Sequence, residues 1–195
     1  TRWTAQDADQ DVNFLFRLAR SSSVTEAREA LKSITTIGQN VVVADVEGHI
    51  GWFPYNRLPH RPWASLELNP AFPLPGTGEA EWGEPIPYED LPQLVDPDLG
   101  LIATANHDMT GSFWDGDPTD EGAAPDNTVY QTSPANGYRY SQIMRLLDRP
   151  EPHTAESLNQ IIHDREVIIA RRLLPLILSM VTIDDLSAYG ALVYE

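Results

Sequence analysis

Apolar positions recur at helical spacing near the start of the chain. Between residues 6 and 20, Val12, Leu15, Phe16 and Ala19 fall on one face, which predicts an amphipathic helix. Ser23-Val24-Thr25-Glu26 has the spacing of a capping box and predicts a second helix to about Ser33. The pattern then changes. Residues 40–46, NVVVADV, are rich in β-branched side chains that suit a pleated surface, and they predict a buried strand. Glu47-Gly48 predicts a turn, with His49 to Phe53 returning as the partner strand. Gly100 to Ala105, GLIATA, predicts a further strand. Helix is predicted again near Asn136 to Asp148. Another starts at the capping Thr154 and continues to about Met180, bent at Pro175. These elements predict an α+β fold, with antiparallel strands between helices.

Composition divides the chain. Pro62 to Tyr138 contains no Lys or Arg, fourteen acids and eleven of the sixteen prolines. Such a segment predicts irregular chain packed over a scaffold. The 195 residues suit one domain burying ~70% of its unfolded surface. The net charge of −16 argues against a nucleic-acid partner, whose phosphates it would repel, and suits calcium. No run of about 20 apolar residues is present; LLPLILSMV at 173–181 is too short to span a membrane and contains Pro175. The absence of cysteine excludes a disulfide scaffold, cysteine-ligated zinc and thiol catalysis. The five histidines, His49, His60, His107, His153 and His163, have no metal-binding spacing. Asp115 to Glu121 is rich in acids but lacks the glycine and closing glutamate of an EF-hand, so a solvated loop is the expectation there. TRWTAQDAD at the start has neither an initiator Met nor a signal-like stretch, and LSAYGALVYE stops in an apolar segment. The expectation is a piece of a longer chain, a single domain over 1–195.

Several motifs then fall in one order. They are Asn40-Val-Val-Val-Ala-Asp45-Val-Glu-Gly48-His-Ile-Gly51 followed by Arg57-Leu-Pro59-His-Arg61; Pro70-Ala-Phe-Pro-Leu-Pro75-Gly76-Thr77-Gly78; Gly100-Leu-Ile-Ala-Thr-Ala-Asn106; and Gly137-Tyr-Arg139 leading to Arg145-Leu-Leu. With Trp3 in RWT, this order resembles the β-chain of the penicillin acylase (penicillin amidase) family over nearly the whole sequence. The resemblance implies part of an N-terminal nucleophile hydrolase with a four-layer αββα core. It also implies a precursor that cuts itself to expose a serine, whose α-amino group is the base, and a periplasmic or secreted location.

The resemblance assigns roles by position. Asn106 matches the asparagine whose side-chain amide donates to the oxyanion, a contact worth ~3–4 kcal/mol. Arg139 matches an arginine near the nucleophile. Read from the residues alone, Asn106 ends a strand in a turn and Arg139 pairs with acids. Trp3 matches an acyl-pocket tryptophan, and Gln39 takes a position that is apolar in phenylacetyl-specific enzymes. A glutamine is a poor wall for an aromatic ring unless its amide is bonded elsewhere, so an acyl group other than phenylacetyl is expected. A structural calcium in several members implies Pro70, through its carbonyl, and Asp126 as ligands. The nucleophile is expected outside this chain, which alone should be inactive; Thr1 falls at the wrong place in the order. The implied partners are a small acyl-amide substrate and the remaining α- and β-chain segments, with no nucleic acid and no membrane. Two other readings stay open: an acylase for acyl-homoserine lactone or lipopeptide amides, and a non-enzymatic acidic calcium-binding module.

Overall fold

The computed structural model describes residues 2–7, 12–34, 38–113, 119, 129–130, 133–182, 187 and 190. The chain divides into two compact units, Thr1–Ala135 and Asn136–Glu195.

In the first unit, α1 (Asn13–Leu18) and α2 (Val24–Leu31) precede a hairpin of β1 (Gln39–Ala44) and β2 (Ile50–Tyr55). A third strand, β3 (Leu94–Val95), completes an antiparallel sheet of order β1-β2-β3. Local chemistry explains the start of α2. The Ser23 hydroxyl accepts from Glu26 N at 3.1 Å, while the Glu26 carboxylate accepts from Ser22 N at 2.8 Å. The cap is therefore made as predicted, with its return arm shifted by one residue.

The hairpin register sets Val42 opposite Trp52 and Val41 opposite Phe53. Alternation along the strands then gives the sheet two faces. One face carries Val41, Val43 and Phe53 against Val24, Leu31 and Ile34. Phe53 and Leu31 are fully buried, at 0% exposure, and truncating such a phenylalanine costs ~3–5 kcal/mol. Gly51 makes the contact possible: a Cβ there would lie 2.7 Å from the Phe53 ring and 2.8 Å from Val24 Cγ1. Asp45 joins hairpin to helix. Its carboxylate accepts from Val24 N at 3.1 Å, His49 N at 3.0 Å and Glu47 N at 3.1 Å. Gly48, at φ 93°, lets the chain turn there.

Three sequence expectations are corrected. The expected core-facing stripe of the first helix is exposed, Phe16 at 60%, and Phe14 and Leu18 pack on the core instead. β1 is half-exposed, not buried, because helices cover only one of its faces. Gly100–Ala105 forms no ladder; its place in the sheet is taken by Leu94–Val95, where Asp96 N donates to Ile50 O at 3.0 Å. Around this short strand the acidic segment is irregular, as expected. The fold is α+β.

The second unit holds α3 (Tyr138–Leu147), α4 (Ala155–Ile162) and α5 (Ile168–Met180). Thr154 caps α4, accepting from Ser157 N at 3.2 Å. The helix does not run on to Met180: residues 163–167 separate α4 from α5, and Pro175 lies inside α5. The Glu166 carboxylate accepts from Arg145 at 2.8 Å and Arg171 at 2.7 Å, fixing this connection. Among the described residues, no helix is long and apolar enough to cross a membrane.

Candidate functional site

The sheet face turned away from α2 carries Asn40, Trp52 and Pro54. Trp52 is 5% exposed, and its Nε1 donates to Asn40 Oδ1 at 2.8 Å. The irregular segment closes over this face, and a cavity of about 240 Å³ remains between them. Asn40, Trp52 and Asn56 line it from the hairpin side, and Leu91, Met109 and Tyr130 from the segment. Gln39 and Asn106 line it as well. Two residues assigned by resemblance, far apart in sequence, thus border one cavity.

Asn106 is exposed and left-handed, with φ 57°, a conformation that asparagine tolerates better than most residues. Its carbonyl accepts from Ala135 N at 2.6 Å, beside an isolated bridge between His107 and Ala135. Asp108 holds the loop that follows. Its carboxylate accepts from Phe113 N at 2.8 Å, Thr110 N at 2.9 Å and Gly111 N at 3.0 Å. Burial pushes the Asp108 carboxyl up, but these hydrogen bonds outweigh it and hold the group below its usual range. Burial pushes the His107 imidazole down, partly offset by the Asp108 charge. Asn106 is therefore a left-handed bend residue that borders the cavity, though no strand leads into it.

The other expected residues lie elsewhere. Trp3 is 58% exposed, heads the short turn Thr4–Asp7 and does not line the cavity. Arg139 is exposed in the first turn of α3, in the second unit. A cation at a helix N-terminus opposes the macrodipole, so helix stability does not account for an arginine there. Pro70 is half-buried in a turn where Asn69 Oδ1 accepts from Ala71 N at 2.9 Å. Asp126, Thr1 and the acidic run at 115–121, except Thr119, lie outside the described residues. Among the described residues, no group of three or more His, Asp or Glu side chains could hold a metal ion.

Sequence reading missed Trp52 and Asn56. Trp52 was detectable, since alternation from Asn40 sets both on one face. Asn56 follows the strand end and carries no periodic signal.

The family described as penicillin amidase matches residues 1–192. The chain is 38% identical to penicillin acylase 2 proenzyme of a Pseudomonas species over 107 residues, covering 53% of this chain and 13% of that protein. It is 28% identical to acyl-homoserine lactone acylase QuiP of Pseudomonas aeruginosa over 172 residues, covering 86% and 18%. Penicillin G acylase of Escherichia coli is 29% identical over 150 residues, covering 76% and 16%. The chain thus spans less than a fifth of the length of each of these relatives. A solved structure, thermostable penicillin G acylase from Alcaligenes faecalis, is similar with TM-score 0.61 at 19% identity, covering 90% of this chain and 30% of that one. That likeness shows a shared fold.

Proposed function

Because the chain belongs to the penicillin amidase family, we propose that it is the part of an acylase β-chain that supplies the oxyanion donor and one wall of the acyl pocket. The observation that carries this reading is the cavity bordered by both Asn106 and Gln39. In the proposed reaction, a serine outside this chain attacks the amide carbonyl, and its α-amino group takes the proton. As the C–O bond forms, charge grows on the carbonyl oxygen, and the Asn106 carboxamide donates to it. An amide does so without titrating, over a wide pH range. The C–N bond then breaks, the amine leaves with the proton, and water releases the acid from the serine ester. Arg139 adds positive field near the nucleophile, and Trp3 contributes to the acyl pocket.

The apolar side chains that α5 leaves exposed, Leu173, Leu174, Leu176 and Ile177, support a partner in the remaining acylase chain segments. The location proposed by family membership is periplasmic or exported. Activity is tested with purified protein and a set of acyl amides. The intact protein should turn them over and the 195-residue chain alone should not. An intact, matured protein without amidase activity would remove the reading. A second reading, hydrolysis of acyl-homoserine lactone amides, is favoured by the likeness to QuiP. It keeps the mechanism and changes the acyl group, so a survey of acyl chains separates the two. The third, a non-enzymatic calcium-binding module, has no metal-holding cluster among the described residues in its support.

A further inference from the structure

One side chain on the cavity floor is an amide with only one of its ends engaged. Asn40 lies opposite Pro54 in the hairpin register, on the sheet face that borders the cavity, and it is exposed. Trp52 Nε1 donates to Asn40 Oδ1 at 2.8 Å. An indole can only donate, so this bond fixes which end of the carboxamide faces Trp52. The Nδ2 end is turned away from the indole and makes no hydrogen bond among the described residues. Its two N–H donors are therefore held in a set orientation at the cavity.

The lining is polar but uncharged. Gln39, Thr110 and Tyr130 border the cavity with Asn40, and none of the described residues around it is Asp, Glu, Lys or Arg. The segment that closes over this face cannot supply a cation, because Pro62 to Tyr138 holds fourteen acids and no Lys or Arg. Arg61, on the hairpin side, does not line the cavity and donates to Val129 O at 3.3 Å. The charges that act on the lining are negative. Burial, then the Asp90 charge, raises the Tyr130 phenol, and the Asp108 charge partly offsets the lowering of His107 by burial. A carboxylate brought into this recess would lose water, gain no cation from these residues and meet acids. A neutral acceptor would lose water too, but would regain a hydrogen bond from Asn40.

We infer that the cavity selects acyl groups that are uncharged and carry a hydrogen-bond acceptor, such as a ketone or amide carbonyl, and that Asn40 Nδ2 donates to that acceptor. This rests on the acylase reading above and names a substrate class within it. Asn40 is then a specificity-determining residue. A plain hydrocarbon chain leaves its donors unpaired in the complex, and an anionic chain is desolvated without a counter-charge, so both are disfavoured.

The test uses the intact, matured protein at neutral pH and the anilides of three five-carbon acyl groups: pentanoyl, 4-oxopentanoyl and 4-carboxybutanoyl. The wild type should favour 4-oxopentanoyl over pentanoyl by about tenfold in kcat/KM, as expected for one hydrogen bond. It should disfavour 4-carboxybutanoyl against pentanoyl by about tenfold or more. Asn40→Asp keeps an oxygen for the indole and loses the N–H donors, so it should bring the first ratio to one or below. A wild-type first ratio near one, a first ratio unchanged in Asn40→Asp, or 4-carboxybutanoyl turned over as well as pentanoyl overturns the inference. If Asn40→Asp does not mature, Asn40→Ala is read by the same ratio. Turnover of all three without preference defeats this inference alone; absence of turnover on every acyl amide defeats the acylase reading with it.

Discussion

The indole of Trp52 donates to the side-chain oxygen of Asn40 at 2.8 Å, across the hairpin and on the face that borders the cavity. The asparagine that opens the family-like motif is thereby used to orient a cavity-lining aromatic. Five residues on, Asp45 ties the same hairpin to the first turn of α2. Asn40 and Asp45 thus anchor the hairpin at opposite ends of β1.

Asn40→Ala should destabilise the protein by ~1–2 kcal/mol, because the buried indole N–H loses its partner. Trp52→Phe in the Asn40→Ala background should cost less than Trp52→Phe alone. A double-mutant cycle by urea denaturation measures this coupling, and additive effects would show that the hydrogen bond contributes nothing.

Asn106 has both a backbone and a side-chain reason to be asparagine, and the substitutions can be chosen to separate them. Asn106→Gly keeps the left-handed conformation at no steric cost and removes the amide. It should lower kcat ~100–1,000-fold with little change in KM, provided that the variant is shown to be matured. Asn106→Ala should lower kcat similarly and lower Tm as well. His107→Ala should cost much less, and Arg139→Lys an intermediate amount. A matured Asn106→Gly enzyme with normal turnover would end the oxyanion assignment.

Gln39 opens β1 on the pleat opposite Asn40, yet it still borders the cavity. Gln39→Ile should raise kcat/KM for phenylacetyl amides relative to polar acyl amides. The measurement is the ratio of the two. A wild-type phenylacetyl preference that is unchanged in the variant would remove Gln39 from the pocket.

The hairpin should also respond to pH. Asp96 Oδ2 contacts His49 Nδ1 at 2.7 Å, and Asp96 Oδ1 accepts from Ile50 N at 2.9 Å. The hydrogen bond from Ile50, then that from His49, hold the Asp96 carboxyl below its ordinary value. The hydrogen bond to Asp96, then its charge and that of Asp45, raise His49. A lowered carboxyl stabilises above about 3.9 and loses that contribution as pH falls through its folded value. A raised imidazole stabilises below about 6.5 and loses it as pH rises through its folded value. Asp96→Asn keeps a side chain that tolerates the positive φ of 45°. The Tm difference between wild type and Asp96→Asn should therefore peak between those pH values and shrink on both sides. A difference independent of pH would contradict the linkage.

Calcium is tested by its removal. If Pro70 and Asp126 belong to a structural site, chelation should lower the Tm of the intact protein and added calcium should restore it. Asp126→Asn should abolish the response. An unchanged Tm on chelation would dismiss the site.

What the sequence determined by itself is the chemistry that closes within a few residues. The Ser23 and Thr154 caps, the turn at Gly48 and the pairing of β1 with β2 all follow from groups within reach along the chain. The motif order carried the family. Tertiary structure decided what depends on distant partners. β3 has two residues, too few for any period, and it is held because Arg28 Nε reaches Gln93 Oε1 at 2.5 Å while Gln93 Nε2 reaches Tyr88 O at 2.6 Å. GLIATA has the composition of a strand but pairs with neither outer edge of the β1-β2-β3 sheet. The helical stripe Val12, Leu15 and Phe16 is periodic, yet which side of a helix is buried depends on what packs against it, and Phe14 and Leu18 meet the core. The burial of Asn56 Oδ1 has the same origin: which atoms of a side chain lose contact with solvent depends on what packs against it.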